Sequence, residues 1–378
     1  MSSLRRPVYF TGGDLIGSHG RGIAESAAGC MDARVAPAKV TLPNLEADIT
    51  LPYCASPDTR LPYERLHDVT AAALAQAQLS GKALQRTGLF IGTSSGDIAL
   101  HEQGYAAERQ AGQLGIAIRH PFHGEMAERI AREFHIGGPR YTLSTACSAS
   151  ANALLYAAWM IREGRIDHAL VLGVEFQNRI SLLGFNSMLL IAHDACRPFD
   201  AAREGIILGE AVAATVLSAT PQRQPRWELS GGGTLCDAGH PTNPAPDKIA
   251  ETIRLALADA QLRAGEIVAI KAHGTGTVSN DLGEGLGMRQ VFGGQPPPFT
   301  SIKPVLGHTL GACGVLETLV AQACLDTGRL PATAGFRNMD TALGIAPLTR
   351  NAAIERGPVL LNFFGFGGNN CSLVMRPC

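Results

Sequence analysis

Between Tyr141 and Gly164 the chain reads YTLSTACSASANALLYAAWMIREG, a short β-prone run that gives way at Cys147 to a long helical pattern with few polar positions. Ala149, Ala153, Leu154, Ala157 and Ile161 recur at helical spacing, the signature of a helix buried on most faces, so the rest of the chain has to enclose it. Cys147 falls at the N-terminus of that helix. Free N–H groups and the positive end of the dipole favour an anion there by up to ~2 kcal/mol, enough to bring a thiol from about 8.5 towards 7. The expectation is a thiolate. Ser144, Thr145, Ser148 and Ser150 crowd small polar groups around it, and Ala146 and Ala149 leave room for an approaching molecule, which reads as a pocket wall rather than a core seam.

The flanking sequence supplies candidate layers. Val8 to Phe10 reads as a strand entering a turn at Gly12-Gly13, and the proline-containing region Gly29 to Pro62 reads as loop. The pattern predicts a helix over Tyr63 to Leu79, a buried strand over Leu89 to Thr93, a helix over Pro121 to Phe134, and buried strands over Ala169 to Val174 and Ala211 to Leu217. After a short joint at Pro221 to Pro225 a similar series returns. It runs strand Trp227 to Ser230, helix Asp247 to Leu262, strand Ile267 to Ala272, helix Asp281 to Phe292, strand Phe299 to Ile302 and helix Leu310 to Thr327. Strands Val359 to Asn362 and Cys371 to Met375 close the chain. The order repeats although the residues do not. The expectation is an α/β protein with a duplicated core, split into halves 1–220 and 221–378 and with sheet covered on both faces.

Composition narrows the function. A formal charge of -1 over 378 residues leaves no basic surplus for a nucleic-acid backbone. The longest apolar runs fall well short of the ~20 residues of a membrane span, and MSSLRRPVYF lacks a signal-peptide apolar region, so a soluble, cytoplasmic protein is expected. The nine cysteines show no CxxC pairing, which suits reduced thiols, one of them reactive. His101, His120, His123 and His135 lack a matching cysteine or carboxylate pattern for zinc, and no metal is expected.

Three stretches place chemistry just after predicted strands, where open α/β sheets put their sites. KAHGTGT supplies His273 with the hydroxyls of Thr275 and Thr277. SIKPVLGHTLGACG supplies Lys303 and His308, with Glu317 one turn beyond its glycines. NFFGFGGNN is a glycine-rich turn whose N–H groups suit a developing oxyanion. Neither GTGT nor GFGG fits a nucleotide-binding loop. A thiol with two imidazoles at glycine-flanked strand ends suits a reaction that holds an acyl group as a thioester while a carbanion attacks it. Two neutral imidazoles donating N–H bonds to a second thioester carbonyl would stabilise the enolate left when a malonyl carboxylate departs as CO2.

These residues resemble the elongating β-ketoacyl-[acyl-carrier-protein] synthases of the thiolase superfamily, found in fatty-acid and type II polyketide synthesis. The resemblance covers ACSAS around Cys147, EF at 175–176, RPFDAAREGIILGEA, DAGHPT, KAHGTGT with Asp281 and Glu284, SIKPVLGHTLGACG with Glu317, and FGFGGNN. It implies a five-layered αβαβα thiolase-like fold and a dimer, with an identical or a second ketosynthase-like subunit. It also implies Cys147 as acyl-accepting nucleophile, His273 and His308 as decarboxylation pair, and Lys303, Glu317 and Asp281 as supporting groups. Thr275 and Thr277 become contacts for the pantetheine arm, and Phe366 a gate whose N–H joins that of Cys147 in an oxyanion hole. The implied partner is an acyl carrier protein, which brings the phosphopantetheine, so no cofactor of its own is implied.

The two-histidine pattern separates the chain from thiolases and from initiating synthases, and the intact cysteine speaks against the alternative of a mainly non-catalytic, chain-length-factor-like subunit. The sequence departs from the family at its N-terminal ~80 residues, at Ile206 where phenylalanine is usual, and at Phe363 where a small residue is usual. These bear on substrate length and shape. Arg65 and other bases near the predicted helix Tyr63 to Leu79 read as solvated surface charge, with carrier-protein docking as the second reading.

Overall fold

The computed structural model describes residues 5–35, 37–43, 47–112 and 124–378, with backbone alone at Gln103 and Gln110. The main sheet contains β1 (Tyr9–Gly17), β2 (Thr87–Gly92), β3 (Arg140–Leu143), β4 (His168–Glu175) and β5 (Ala211–Ser218) from the first part of the chain. From the second part come β6 (Trp227–Cys236), β7 (Ala269–Lys271), β8 (Phe299–Thr300), β9 (Val359–Phe364) and β10 (Asn369–Pro377). Their spatial order is β8-β7-β9-β10-β6-β1-β5-β4-β2-β3, with the short Gly20–Arg21 segment folded back on β1.

Each set of five repeats the other. Moving outwards from the centre, β1 pairs with β5 and β5 with β4 antiparallel, then β4 with β2 and β2 with β3 parallel. In the second set β6 pairs with β10 and β10 with β9 antiparallel, then β9 with β7 and β7 with β8 parallel. The two sets meet through a single ladder pair, Tyr9 with Glu228. Between them lie two central helices, with further helices outside.

In chain order the helices that form the layers are α1 (Pro62–Gln76), α2 (Gly124–Glu133), α3 (Ala149–Arg162), α4 (Pro246–Asp259), α5 (Val278–Phe292) and α6 (Cys313–Asp326). The first two cover the outer face of the first set, α4 covers that of the second with α5 packed beside it, and α3 and α6 touch both sets. This is the layered thiolase-like arrangement that the resemblance implied. The physical cause is visible in β4 (HALVLGVE) and β5 (AVAATVLS), which are buried along their whole length and must have helix on both faces.

The two central helices approach closely because their contact is built from small residues. A Cβ on Gly314 would sit 2.0 Å from the Ala151 nitrogen, so only glycine permits this crossing. The Val315 N–H donates to Ser150 Oγ at 3.1 Å, and the Cys313 thiol donates to the Cys147 carbonyl at 2.9 Å. The tips of both helices are thereby tied together.

Several sequence expectations need correction. Gly12-Gly13 is not a turn: β1 runs through it, and the glycines let α1 lie on the strand, since a Cβ on Gly12 would come within 2.2 Å of the Ala73 carbonyl oxygen. The region Gly29 to Pro62 is not only loop. It contains the end of a helix (Ile23–Met31) and strands Ala38–Leu42 and Ile49–Cys54, the latter paired with Leu208–Gly209 in a small sheet. Of the helix expected over Pro121 to Phe134, the first three residues lie outside the described residues, as do His120 and His123. Arg65 is neither solvated nor available for docking: it is 8% exposed, bonds to Glu210 at 3.2 Å and lies over the Phe176 ring. Among the described residues no helix is long and apolar enough to cross a membrane.

Candidate active site

The chain leaves β3 at Leu143 and turns sharply before entering α3. Ala146 adopts the left-handed conformation (φ 50), and Ala146–Ser148 form a single 3-10 turn. Ser148 Oγ donates to the Thr145 carbonyl at 2.8 Å, and Asn152 Nδ2 donates to Thr145 Oγ1 at 2.9 Å, so the small polar residues hold the turn. Cys147 sits within it, 5% exposed, with its own N–H and that of Phe366 directed at the sulfur. Burial nevertheless pushes the thiol up to about 12, outweighing Lys303 and these N–H groups. The expectation of a resting thiolate is therefore wrong: the helix tip is so deeply enclosed that loss of hydration exceeds what a dipole returns.

His273 follows β7. Its backbone N–H donates to Glu284 Oε1 at 2.8 Å and that of Gly274 to Oε2 at 2.7 Å, which clamps the loop to α5. His308 is held by its own backbone, donating to the Ile207 carbonyl at 2.7 Å and accepting from the Gly209 N–H at 3.1 Å. The preceding Gly307 (φ 78) has no substitute, since a Cβ there would lie 2.6 Å from that of Cys54. The two imidazole centroids are 5.4 Å apart with planes at 86°. His308 Nδ1 accepts the Leu310 N–H at 3.2 Å, which leaves the ring proton on Nε2. Among the described residues His273 Nδ1 has no hydrogen-bond partner. Both rings are held well below the ordinary histidine value, first by burial and then by Lys303, with His308 also acting on His273. They are neutral.

Behind them lies a buried ion cluster. Lys303 Nζ and Lys271 Nζ donate to the two oxygens of Glu317, each at 2.6 Å, and all three side chains are 1% exposed. Lys303 also acts electrostatically on Cys147, as it does on both imidazoles. Asp281 sits at the first turn of α5, fully buried, accepting N–H bonds from Phe199 (2.7 Å), Thr275 (3.0 Å) and Gly276 (3.1 Å). The Thr275 and Thr277 hydroxyls lie 3.0 Å from each other and are nearly buried. Phe366 is half-buried and stacks on Phe185 at 5.7 Å, beside a narrow cleft it shares with His240, Asn280 and Phe364.

Cys147, His273 and His308 thus share the influence of the Lys303–Glu317–Lys271 cluster, and two further residues bear on the site. Glu175, at the end of β4, accepts N–H bonds from Ser94 (2.9 Å), Ser95 (3.1 Å) and Gly311 (3.0 Å), and so locks the first half onto the tip of α6. Lys271, the first residue of KAHGTGT, is the second. Its signal was a lysine inside an otherwise apolar strand, a position that requires a buried partner. Among the described residues no group of side chains could hold a metal ion.

The chain is similar to known proteins over most of its length. Residues 62–222 match the family model "Beta-ketoacyl synthase, N-terminal domain", and residues 228–337 match "Beta-ketoacyl synthase, C-terminal domain". Nodulation protein E of Rhizobium meliloti is 31% identical, over 80% of this chain and 79% of that protein. The chloroplastic 3-oxoacyl-[acyl-carrier-protein] synthase I of Hordeum vulgare is 29% identical, over 77% of this chain and 67% of that one. The solved structure of the ishigamide ketosynthase/chain length factor superposes with a TM-score of 0.88 at 31% identity, covering 99% of each chain.

Proposed function

The chain belongs to the β-ketoacyl synthase family of acyltransferase-type condensing enzymes, and from that premise we propose that it is a catalytically active member, elongating an acyl chain by decarboxylative Claisen condensation with malonyl-acyl-carrier protein in fatty-acid or type II polyketide synthesis. The observation that carries this reading is the complete reagent set: one thiol and two neutral imidazoles, all acted on by a single buried lysine. A subunit that merely shaped a partner's tunnel would have no use for the set.

In this reading Cys147 accepts the acyl group. Because the thiol rests protonated, its proton leaves in the same step in which the carrier thiolate departs and takes it up. The N–H groups of Cys147 and Phe366, already aimed at the sulfur, hold the oxyanion of the tetrahedral intermediate. Malonyl-carrier then enters, its pantetheine arm lying along Thr275 and Thr277, with Phe366 as the gate. His308 donates from Nε2 to the malonyl thioester carbonyl, and His273 supplies the second donor. Loss of CO2 leaves an enolate, whose carbon attacks the Cys147 thioester, and the cysteine is released with the 3-ketoacyl product on the carrier. Lys303, Glu317 and Asp281 hold these groups in place, and the chain needs no cofactor beyond the phosphopantetheine on its partner.

The partners proposed are an acyl carrier protein and a second ketosynthase-like subunit, identical or not, and the setting is the cytoplasm. The division into halves 1–220 and 221–378 belongs to the same reading, one contributing the thiol and the other the imidazoles. Mass spectrometry of the intact protein after incubation with acyl-carrier proteins tests it. Wild type should gain one acyl group and Cys147→Ala none, while His308→Ala should load the acyl group yet lose roughly 10²–10³ in condensation rate. A Cys147→Ala variant that still elongates would refute the assignment.

A further inference from the structure

The ion cluster behind the imidazoles carries one cation more than it needs. Glu317 is shared by two ammonium groups, at 2.6 Å from each, in a region where every member is 1% exposed. One lysine neutralises the carboxylate. The second is a surplus positive charge buried without a counter-ion, which is costly and needs a reason.

Lys271 is the surplus member by its surroundings. Besides Glu317 it donates to the Asn362 carbonyl at 2.7 Å and lies 3.6 Å from the centroid of the Phe363 ring, two neutral contacts that make a cation tolerable. The side chain of Asn362 in turn donates to Glu284 Oε1 at 3.1 Å, on the carboxylate that clamps the backbone of His273 and Gly274. A path of direct contacts therefore runs from Lys271 to the loop that carries His273.

We infer that Lys271 is a positioning residue for the condensation, dividing Glu317 with Lys303, fixing the strand that bears Asn362, and directing an uncompensated positive charge at His273 and His308. The inference rests on the proposed condensing activity for its meaning, though not for its physical test. Each ring has to remain an N–H donor with one free nitrogen, and an imidazolium in this cavity would meet two ammonium groups. Lys271 acts on both rings in this sense.

Burial and Lys303 weigh more on both rings than Lys271 does, and Lys271 adds to them in the same direction; the remaining groups facing the rings carry no free positive charge. From α6 come Glu317, already shared, and the Cys313 thiol, held up by burial. From α5 come Glu284 and Asp281, both engaged by backbone N–H groups, and from the turn before α3 comes the neutral Cys147. Lys303 is matched by Glu317, and the Cys371 thiol of β10 is held up by burial.

Ring-nitrogen NMR of uniformly labelled full-length protein, taken from pH 8 to 5, tests the charge directly. Lys271→Met, which leaves Lys303 and Glu317 as a matched pair, should raise the titration of at least one of the two rings by about one pH unit, the size expected for one charge several ångströms away in a partly screened interior. Lys271→Arg should titrate as wild type. The acid limb of the condensation rate should move upward by the same amount in Lys271→Met, with little change at pH 8. If Lys271→Met does not fold, Lys271→Gln, which keeps a donor for the Asn362 carbonyl, serves in its place. Rings that titrate in these variants as they do in wild type overturn the inference. Shifted rings in a protein that never condenses would sustain the electrostatic role of Lys271 and refute the proposed activity instead.

Discussion

The tips of α3 and α6 are the same structure built twice and used differently. Each begins with a threonine, then a residue in the left-handed conformation (Ala146, φ 50; Leu310, φ 44), then a single 3-10 turn and a helix of fourteen residues. At the first tip the residue after the left-handed one is Cys147. At the second it is Gly311, where a Cβ would come within 2.4 Å of the Ser94 nitrogen. One copy has kept a side chain as a reagent, and the other has surrendered it so that the two halves can close on each other. Chemistry in the second half has moved two residues upstream of the turn, to His308, and across to His273. The contrast extends inward, for α3 keeps its ionised side chain, Arg162, at the far end, paired with Asp259 at 2.8 Å, whereas α6 buries Glu317 near its tip between two lysines.

The largest effect should separate the two helices by charge. Glu317→Ala leaves two unpaired buried ammonium groups and should lower unfolding free energy by about 3–5 kcal/mol in urea titrations. Removal of the Cys147 thiol from the uncharged tip should leave stability within about 1 kcal/mol, since it discards a small neutral group. Equal losses would end the comparison.

Next in size is the pH dependence. Both imidazoles are held below the value of 6.5 that they regain on unfolding. Below that pH the unfolded chain binds protons that the folded one refuses, so stability is fully present above 6.5 and is lost as pH falls. The loss should be about 1 kcal/mol per ring between pH 6.5 and 5.5, steepening towards about 1.4 kcal/mol per pH unit below that. Glu175, Asp281 and Glu284, raised by burial, take up protons in the folded state and oppose it at lower pH. Replacing His308 with Asn should remove that ring's share of the slope, to which His19 and His168, also lowered by burial, contribute as well, as read by melting at each pH.

Gly314→Ala should cost about 1–3 kcal/mol by forcing the helices apart, and should slow acyl loading as the Cys147 turn shifts. The smallest change is Cys313→Ala. It removes the thiol donor to the Cys147 carbonyl, and should cost about 0.5–1.5 kcal/mol while leaving both imidazoles untouched.

Most of the site was legible in sequence because its members stand beside glycines at strand ends, and local spacing records that. Long buried runs such as β4 and β5 announced the covered sheet for the same reason. What sequence could not supply was depth. The dipole at the Cys147 tip is local to the sequence, whereas its enclosure depends on chain arriving from residues 310–315 and 365–366. Gly12-Gly13 read as a turn since glycine frees the backbone, whereas here it makes room for α1. Arg65 looked like surface charge because its partner Glu210 lies far along the chain.

The two five-stranded sets share one ladder pair, yet their central helices each lie against both sets. That distribution of contacts makes the molecule hard to take apart. A fragment ending near the Pro221–Pro225 joint would keep its strands but lose the cover over them, and would be expected to aggregate rather than stand alone. Exchange of one half between relatives should succeed only when both central helices travel together.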